Sequence, residues 1–102
     1  MKLTDCPEPH LYRGTVLRFI GTYPFDKEYV DFMICEYHSA KEDRCPLALY
    51  CVSGYHAGCL EYVFPKEAQA EDAVAISTEW LKENWQTKVY DGCTADKVTV
   101  IG

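Results

Sequence analysis

The sequence predicts an α+β domain: a mostly antiparallel sheet of about five strands, with one main amphipathic helix at about residues 77–90 packed on one face. Three observations predict it. Short runs rich in β-branched and aromatic residues recur, separated by Gly, Pro or polar breaks. Two of these runs are joined by a few residues that include two glycines, as a hairpin requires. One later segment carries a stripe of apolar residues at helical spacing. With 102 residues and neither a repeat nor a low-complexity tract, the chain reads as one domain, 1–102, with a single small core.

Taken in order, the segment RGTVLRFIGTY (13–23) is the first strand, entered through Gly14. EYVDFMICEYH (28–38) is the second, and the polar run 39–45 ending at Pro46 is a turn. LALYCVS (47–53) and CLEYVFP (59–65) form the hairpin, and KVTVI (97–101) closes the chain as a short strand. Residues 66–74 suit a short helical turn. In STEWLKENWQTKVY (77–90), Ser77 or Thr78 suits the N-cap, Glu79 the first turn and Lys88 the last. Trp80, Leu81, Trp85 and Val89 make the apolar stripe, so both tryptophans read as core. Asn84 lies within that stripe and needs hydrogen-bond partners there; a role in pinning the 53–58 loop is expected. Gly92 follows the helix as part of its stop.

The middle strands are apolar on both sides. Val30, Phe32 and Ile34 alternate with Tyr29, Met33 and Cys35, and Leu47, Leu49 and Cys51 with Ala48, Tyr50 and Val52. Such strands are usually covered on both faces. One helix covers one face, so the lead-in, residues 66–76 or another protein must shelter the second; a homodimer is one form of that. Arg18 and Glu36, each among apolar neighbours, are expected to pair across adjacent strands.

The net charge of −6 argues against DNA or RNA as a direct ligand. Residues 26–43 and 61–83 each hold six acids and two bases, so the acidity is concentrated in two stretches. It serves either solubility or the steering of a basic protein partner. The first residues carry a single Lys and no apolar h-region, and no window approaches the ~18 apolar residues of a membrane helix. The expectation is a cytoplasmic protein with no membrane partner, its six cysteines reduced.

The one cluster of reactive residue types is CVSGYHAGC (51–59). A turn centred on Tyr55 sets Cys51 opposite Cys59, whereas a slip of one residue sets Cys51 opposite Leu60. A nucleophilic Cys51 or Cys59 needs His56 within reach and a third group to orient the ring, and no orienting carboxylate or oxyanion hole is evident nearby. The cysteines lack a CxxC, and His10 and His38 form no ligand-spaced pair, so no metal site is expected. Gly54 and Gly58 shape the turn, and Tyr55 with His56 becomes a contact tip for a partner.

Several segments occur together in one order: an early RG before a β run, VDFMICEY, LALYCVSGYHAG followed by an apolar strand and Pro65, ISTEWLKENWQTKVY, and a terminal VTVIG. In this the chain resembles the bacterial immunity proteins of immunity family forty-five, from polymorphic toxin systems, over residues 13–101. SGYHAG and STEWLKENW are the most specific parts. The resemblance implies an α+β protein that binds and blocks a cognate toxin domain, with no catalysis and no cofactor. On the charge argument that toxin is basic, and the expected contact surface combines Asp26, Glu28, Glu42 and Asp43 with Tyr55 and His56. Two other readings remain: a thiol-dependent enzyme or redox sensor using Cys51, His56 and Cys59, and a homodimeric structural subunit.

Overall fold

The computed structural model of the chain describes residues 1–21, 29–38 and 44–101. Among the described residues seven strands form: β1 (His10–Leu11), β2 (Val16–Ile20), β3 (Tyr29–Glu36), β4 (Arg44–Cys51), β5 (Leu60–Pro65), β6 (Ile76–Ser77) and β7 (Thr99–Ile101). Five of them make one antiparallel sheet in the order β5-β4-β3-β2-β7, so the expected five-stranded architecture stands. The short strands β1 and β6 pair separately and tie the lead-in to the start of the helix. Strand β1 and the single turn of 3-10 helix at Leu3–Asp5 lie in segments to which the sequence assigned no element, while β6 ends on Ser77, an expected cap of the helix.

The helical segment begins where its cap chemistry predicts. Ser77 adopts an extended conformation and its hydroxyl accepts the Trp80 N–H at 3.2 Å, starting helix α1 (Thr78–Asn84). After Asn84 the winding loosens into a π turn, Trp85–Val89, and the Tyr90 N–H donates to the Trp85 carbonyl at 2.8 Å. Asn84 does not reach the 53–58 loop. Its side-chain amide donates to the Trp80 carbonyl one turn back, at 2.8 Å, so its polar group is satisfied within its own helix. The segment ends as Tyr90 turns extended, before Gly92 is reached.

One face of the sheet is the core face. Leu17, Phe19, Val30, Phe32, Ile34, Leu47, Leu49, Cys51 and Phe64 are buried there in one cluster. Helix α1 supplies Leu81, the π turn Trp85, the lead-in Leu3, Cys6 and Leu11, and the 66–76 segment Ala68 and Ile76 to that same cluster. Trp85 is fully buried, with its ring centroid 5.3 Å from that of Phe19 and 6.4 Å from that of Phe32. Trp80 is half-buried, edge-on to Phe64 at 6.1 Å. Both tryptophans are therefore core residues, with Trp85 at the centre. Among the described residues no helix is long and apolar enough to cross a membrane.

Strand register overturns the expected Arg18–Glu36 pair. β2 and β3 align Val16 with Met33 and Arg18 with Asp31, and Arg18 makes two hydrogen bonds to the Asp31 carboxylate, at 2.8 and 3.0 Å. The same register carries Glu36 towards Arg13, with which it forms an ion pair.

Replacing Trp85 by Ala removes the largest side chain of the core and leaves a void between sheet and helix. We expect a loss of about 3–5 kcal/mol in unfolding free energy by denaturant titration, against well under half of that for Trp80→Ala.

Candidate functional site

The candidate site is built at the β4–β5 hairpin. The Cys51 N–H donates to the Cys59 carbonyl at 2.9 Å, and the Gly58 N–H donates to the Cys51 carbonyl at 2.7 Å. The two cysteines thus stand opposite each other at the foot of the loop, and the slipped alternative is excluded because Leu60 pairs with Tyr50. The loop is a turn of 3-10 helix, Gly54–His56, closed by the Ala57 N–H donating to the Gly54 carbonyl. Gly54 and Gly58 hold φ of +64° and +92°, in the left-handed region that disfavours a side chain. A Cβ at Gly58 would meet nothing within 4 Å, so the dihedral alone selects glycine there.

The tip divides the roles expected of its two exposed residues. Tyr55 is 72% exposed and points to solvent, with its ring centroid 4.3 Å from that of His56. His56 instead folds back towards β5, so that its Nδ1 lies 4.0 Å from Glu61 Oε1 and three-quarters of the side chain is covered. Burial pushes the Glu61 carboxyl above its ordinary range, and the neighbouring His56 opposes that rise. The Cys59 thiol joins this pair: donor atoms of His56, Cys59 and Glu61 all lie within 4.8 Å of one another. Sequence reasoning passed over this group because it sought cysteine and histidine spacings, whereas the set is H-x-x-C-x-E with a glutamate as third member.

The thiols themselves are unlike. Cys51 is fully buried, its Sγ donates to the Ser53 carbonyl at 3.2 Å, and burial raises its pKa above the ordinary thiol value. A thiol held protonated in the core makes a poor nucleophile. Cys59 is exposed, and both cysteines are free. The carboxylate missing from the sequence reading is present, since Glu61 faces His56, but the buried thiol is directed to a backbone carbonyl.

The second face of the sheet carries a different set of residues. Register places Ile101, Val16, Met33, Tyr50 and Leu60 side by side across β7, β2, β3, β4 and β5, an apolar row spanning the whole sheet. Beside it run the Arg18–Asp31 ion pair and then Ile20 opposite Tyr29, which are 61% and 64% exposed. The guanidinium of Arg18 stacks over the Tyr29 ring at 5.2 Å. The Asp31 N–H donates to the Ser53 hydroxyl, tying the foot of the hairpin to β3. The lead-in and the 66–76 segment, two candidate covers for it, lie on the core side instead.

The second acidic stretch gathers elsewhere. Glu67, Glu71, Asp72 and Glu79, with Glu8 of the lead-in, border a cleft of about 760 Å³ whose basic side chains include Lys82. It lies beyond the far end of β5, about 20 Å from the hairpin at ~3.3 Å per residue. Of the other expected contact residues, Asp26, Glu28, Glu42 and Asp43 lie outside the described residues.

A family model described as Immunity protein 45 matches residues 3–100, nearly the whole chain. No curated protein and no solved structure matches it.

The burial contrast sets an order of thiol reactivity. Brief treatment of the native protein with N-ethylmaleimide should modify Cys59 well before Cys51 and Cys45, which should react only on unfolding. Peptide mass spectrometry reads this directly, and early labelling of Cys51 would restore the thiol-enzyme reading.

Proposed function

The chain belongs to the Immunity protein 45 family, and we propose that it neutralises a cognate bacterial toxin by stoichiometric protein–protein contact in the cytoplasm of the producing cell, without catalysis. The family match over residues 3–100 carries this reading. The geometry supports it with a surface suited to a partner: the apolar row of the open sheet face, the exposed Tyr29 and Ile20, and Tyr55 on its glycine-bounded tip. Exposed aromatics on rigid elements lose little freedom when bound and are common anchors of protein interfaces.

Two physical roles separate within that surface. Apolar and aromatic burial opposes dissociation, so Tyr55, Tyr29 and Met33 set the lifetime of the complex. His56 adds to the tip through its contact with the Tyr55 ring. Charge acts earlier, by raising the encounter rate with a basic toxin. That role falls to the acids at the cleft, Glu67, Glu71 and Asp72, together with Asp26, Glu28, Glu42 and Asp43 of the first acidic stretch.

Identification of the toxin encoded beside this gene, followed by surface plasmon resonance on the purified pair, tests the proposal. Tyr55→Ala and Tyr29→Ala should each raise the dissociation rate about tenfold with little change in association. Glu67→Lys combined with Glu71→Lys should instead slow association and flatten its dependence on salt. A complex whose rates ignore all four substitutions would place the contact elsewhere. A stable dimer of the isolated protein that loses toxin binding in neither aromatic variant would favour self-association through the open face.

A further inference from the structure

We propose that His56, Cys59 and Glu61 form a binding site for a divalent transition-metal ion, with Zn²⁺ the best chemical match. The three side chains offer nitrogen, sulfur and oxygen donors, the mixed set that this borderline ion accepts. Their donor atoms already lie within 4.8 Å of one another, and the His56–Glu61 approach is 4.0 Å. Tetrahedral ligation at ordinary zinc distances needs donor separations of about 3.3–3.7 Å, a contraction that side-chain rotation supplies.

The backbone around the set is well defined. Cys59 immediately precedes β5 and Glu61 is the second residue of that strand, at the shift in register with β4, and their donor atoms converge there with that of His56. His56 is delivered by the 3-10 turn, and the Cys59 N–H donates to the His56 carbonyl at 3.0 Å, which fixes the loop end of the site to its strand end. Cys59 is exposed, so an ion has a path in. On binding, the Cys59 thiol gives its proton to solvent and ligates as thiolate, while His56 ligates as neutral imidazole and Glu61 as carboxylate. Three protein ligands leave the fourth tetrahedral position for water. The ion then ties the tip to β5. This site departs from the expectation of no metal and is independent of the toxin reading.

The test uses the full chain, reduced and freed of metal with a chelator. Zinc titrated by calorimetry should bind at one equivalent with a dissociation constant at or below about 1 μM. Cobalt in place of zinc should give a thiolate-to-cobalt charge-transfer band in the near ultraviolet. Cys59→Ser should abolish that band and weaken zinc binding by about tenfold or more, and Glu61→Gln should weaken it by a similar factor. Cys93→Ser, a thiol remote from the set in sequence, should change neither. Should Cys59→Ser alter the circular dichroism spectrum, His56→Gln replaces it with the same expected loss of zinc affinity. The absence of saturable zinc binding, or a cobalt band that survives Cys59→Ser, would overturn the site.

Discussion

The indole of Trp85 joins helix α1 to the centre of the sheet, and the rest of the fold follows from how it is held. Phe19 of β2 and Phe32 of β3 meet it from below, their own rings 4.9 Å apart, and Tyr90 closes on Phe19 at 4.5 Å. In a continuous α-helix, residues 85 and 90 would point about 140° apart at ~100° per residue. The i→i+5 bond of the π turn turns them roughly to the same side. The loosened winding is therefore the means by which two successive aromatic anchors reach one cluster. Asn84, bonded back to Trp80 where the winding changes, satisfies its amide without drawing on the sheet.

Because that cluster sits on one face, every segment able to cover apolar surface is drawn to the same side. The lead-in is held there by β1–β6 pairing and by Lys82, whose ammonium donates to the Cys6 carbonyl at 3.3 Å. The 66–76 segment follows through Ala68 and Ile76. The opposite face keeps its composition without that cover. Its charged members are matched: Arg18 and Asp31 make paired hydrogen bonds, so the apolar row beside them is not interrupted by an unpaired charge. The pair is part-buried, with the Asp31 side chain 17% exposed. Its effect here is to fix side-chain positions on a surface otherwise formed by Val16, Met33, Tyr50 and Tyr29.

Much of this was legible in the sequence where the signal was local. Strand runs, a helix start at Ser77 or Thr78 and the hairpin follow from alternation, capping and turn chemistry acting over a few residues, whereas the residue opposite Cys51 stayed open between Cys59 and Leu60 because a one-residue slip of the loop exchanges them. The partner of Arg18 was not legible, because a shift of register exchanges Asp31 for another acid and nothing within either strand selects between them. The side taken by the lead-in was equally hidden: the two faces of β3 and β4 are both apolar, so burial alone names no preferred side. At the tip, a loop seen as letters suggested two residues raised into solvent. The 3-10 turn separates them, sending Tyr55 outward and His56 towards Glu61, whose place as a neighbour depends on a β-bulge between Leu49 and Tyr50. That bulge has no Gly or Pro to announce it.

The size of the open face limits how a partner can use it. Five strands of three to eight residues, at about 3.3 Å per residue and about 4.8 Å apart, present a projected area of roughly 480 Å². A stable protein–protein complex buries about 800 Å² on each side. For the proposed toxin contact the apolar row alone is thus too small, and that proposal requires an extension over an edge. On the β5 edge the extension we propose is the hairpin tip, where Tyr55 is exposed between two glycines of positive φ. The acidic cleft lies at the other end of that strand, too far to share one small contact with the tip but well placed to act on an approaching basic surface before contact is made. Under the proposed function, the dimensions of so small a domain keep the aromatic anchor and the acidic guide apart.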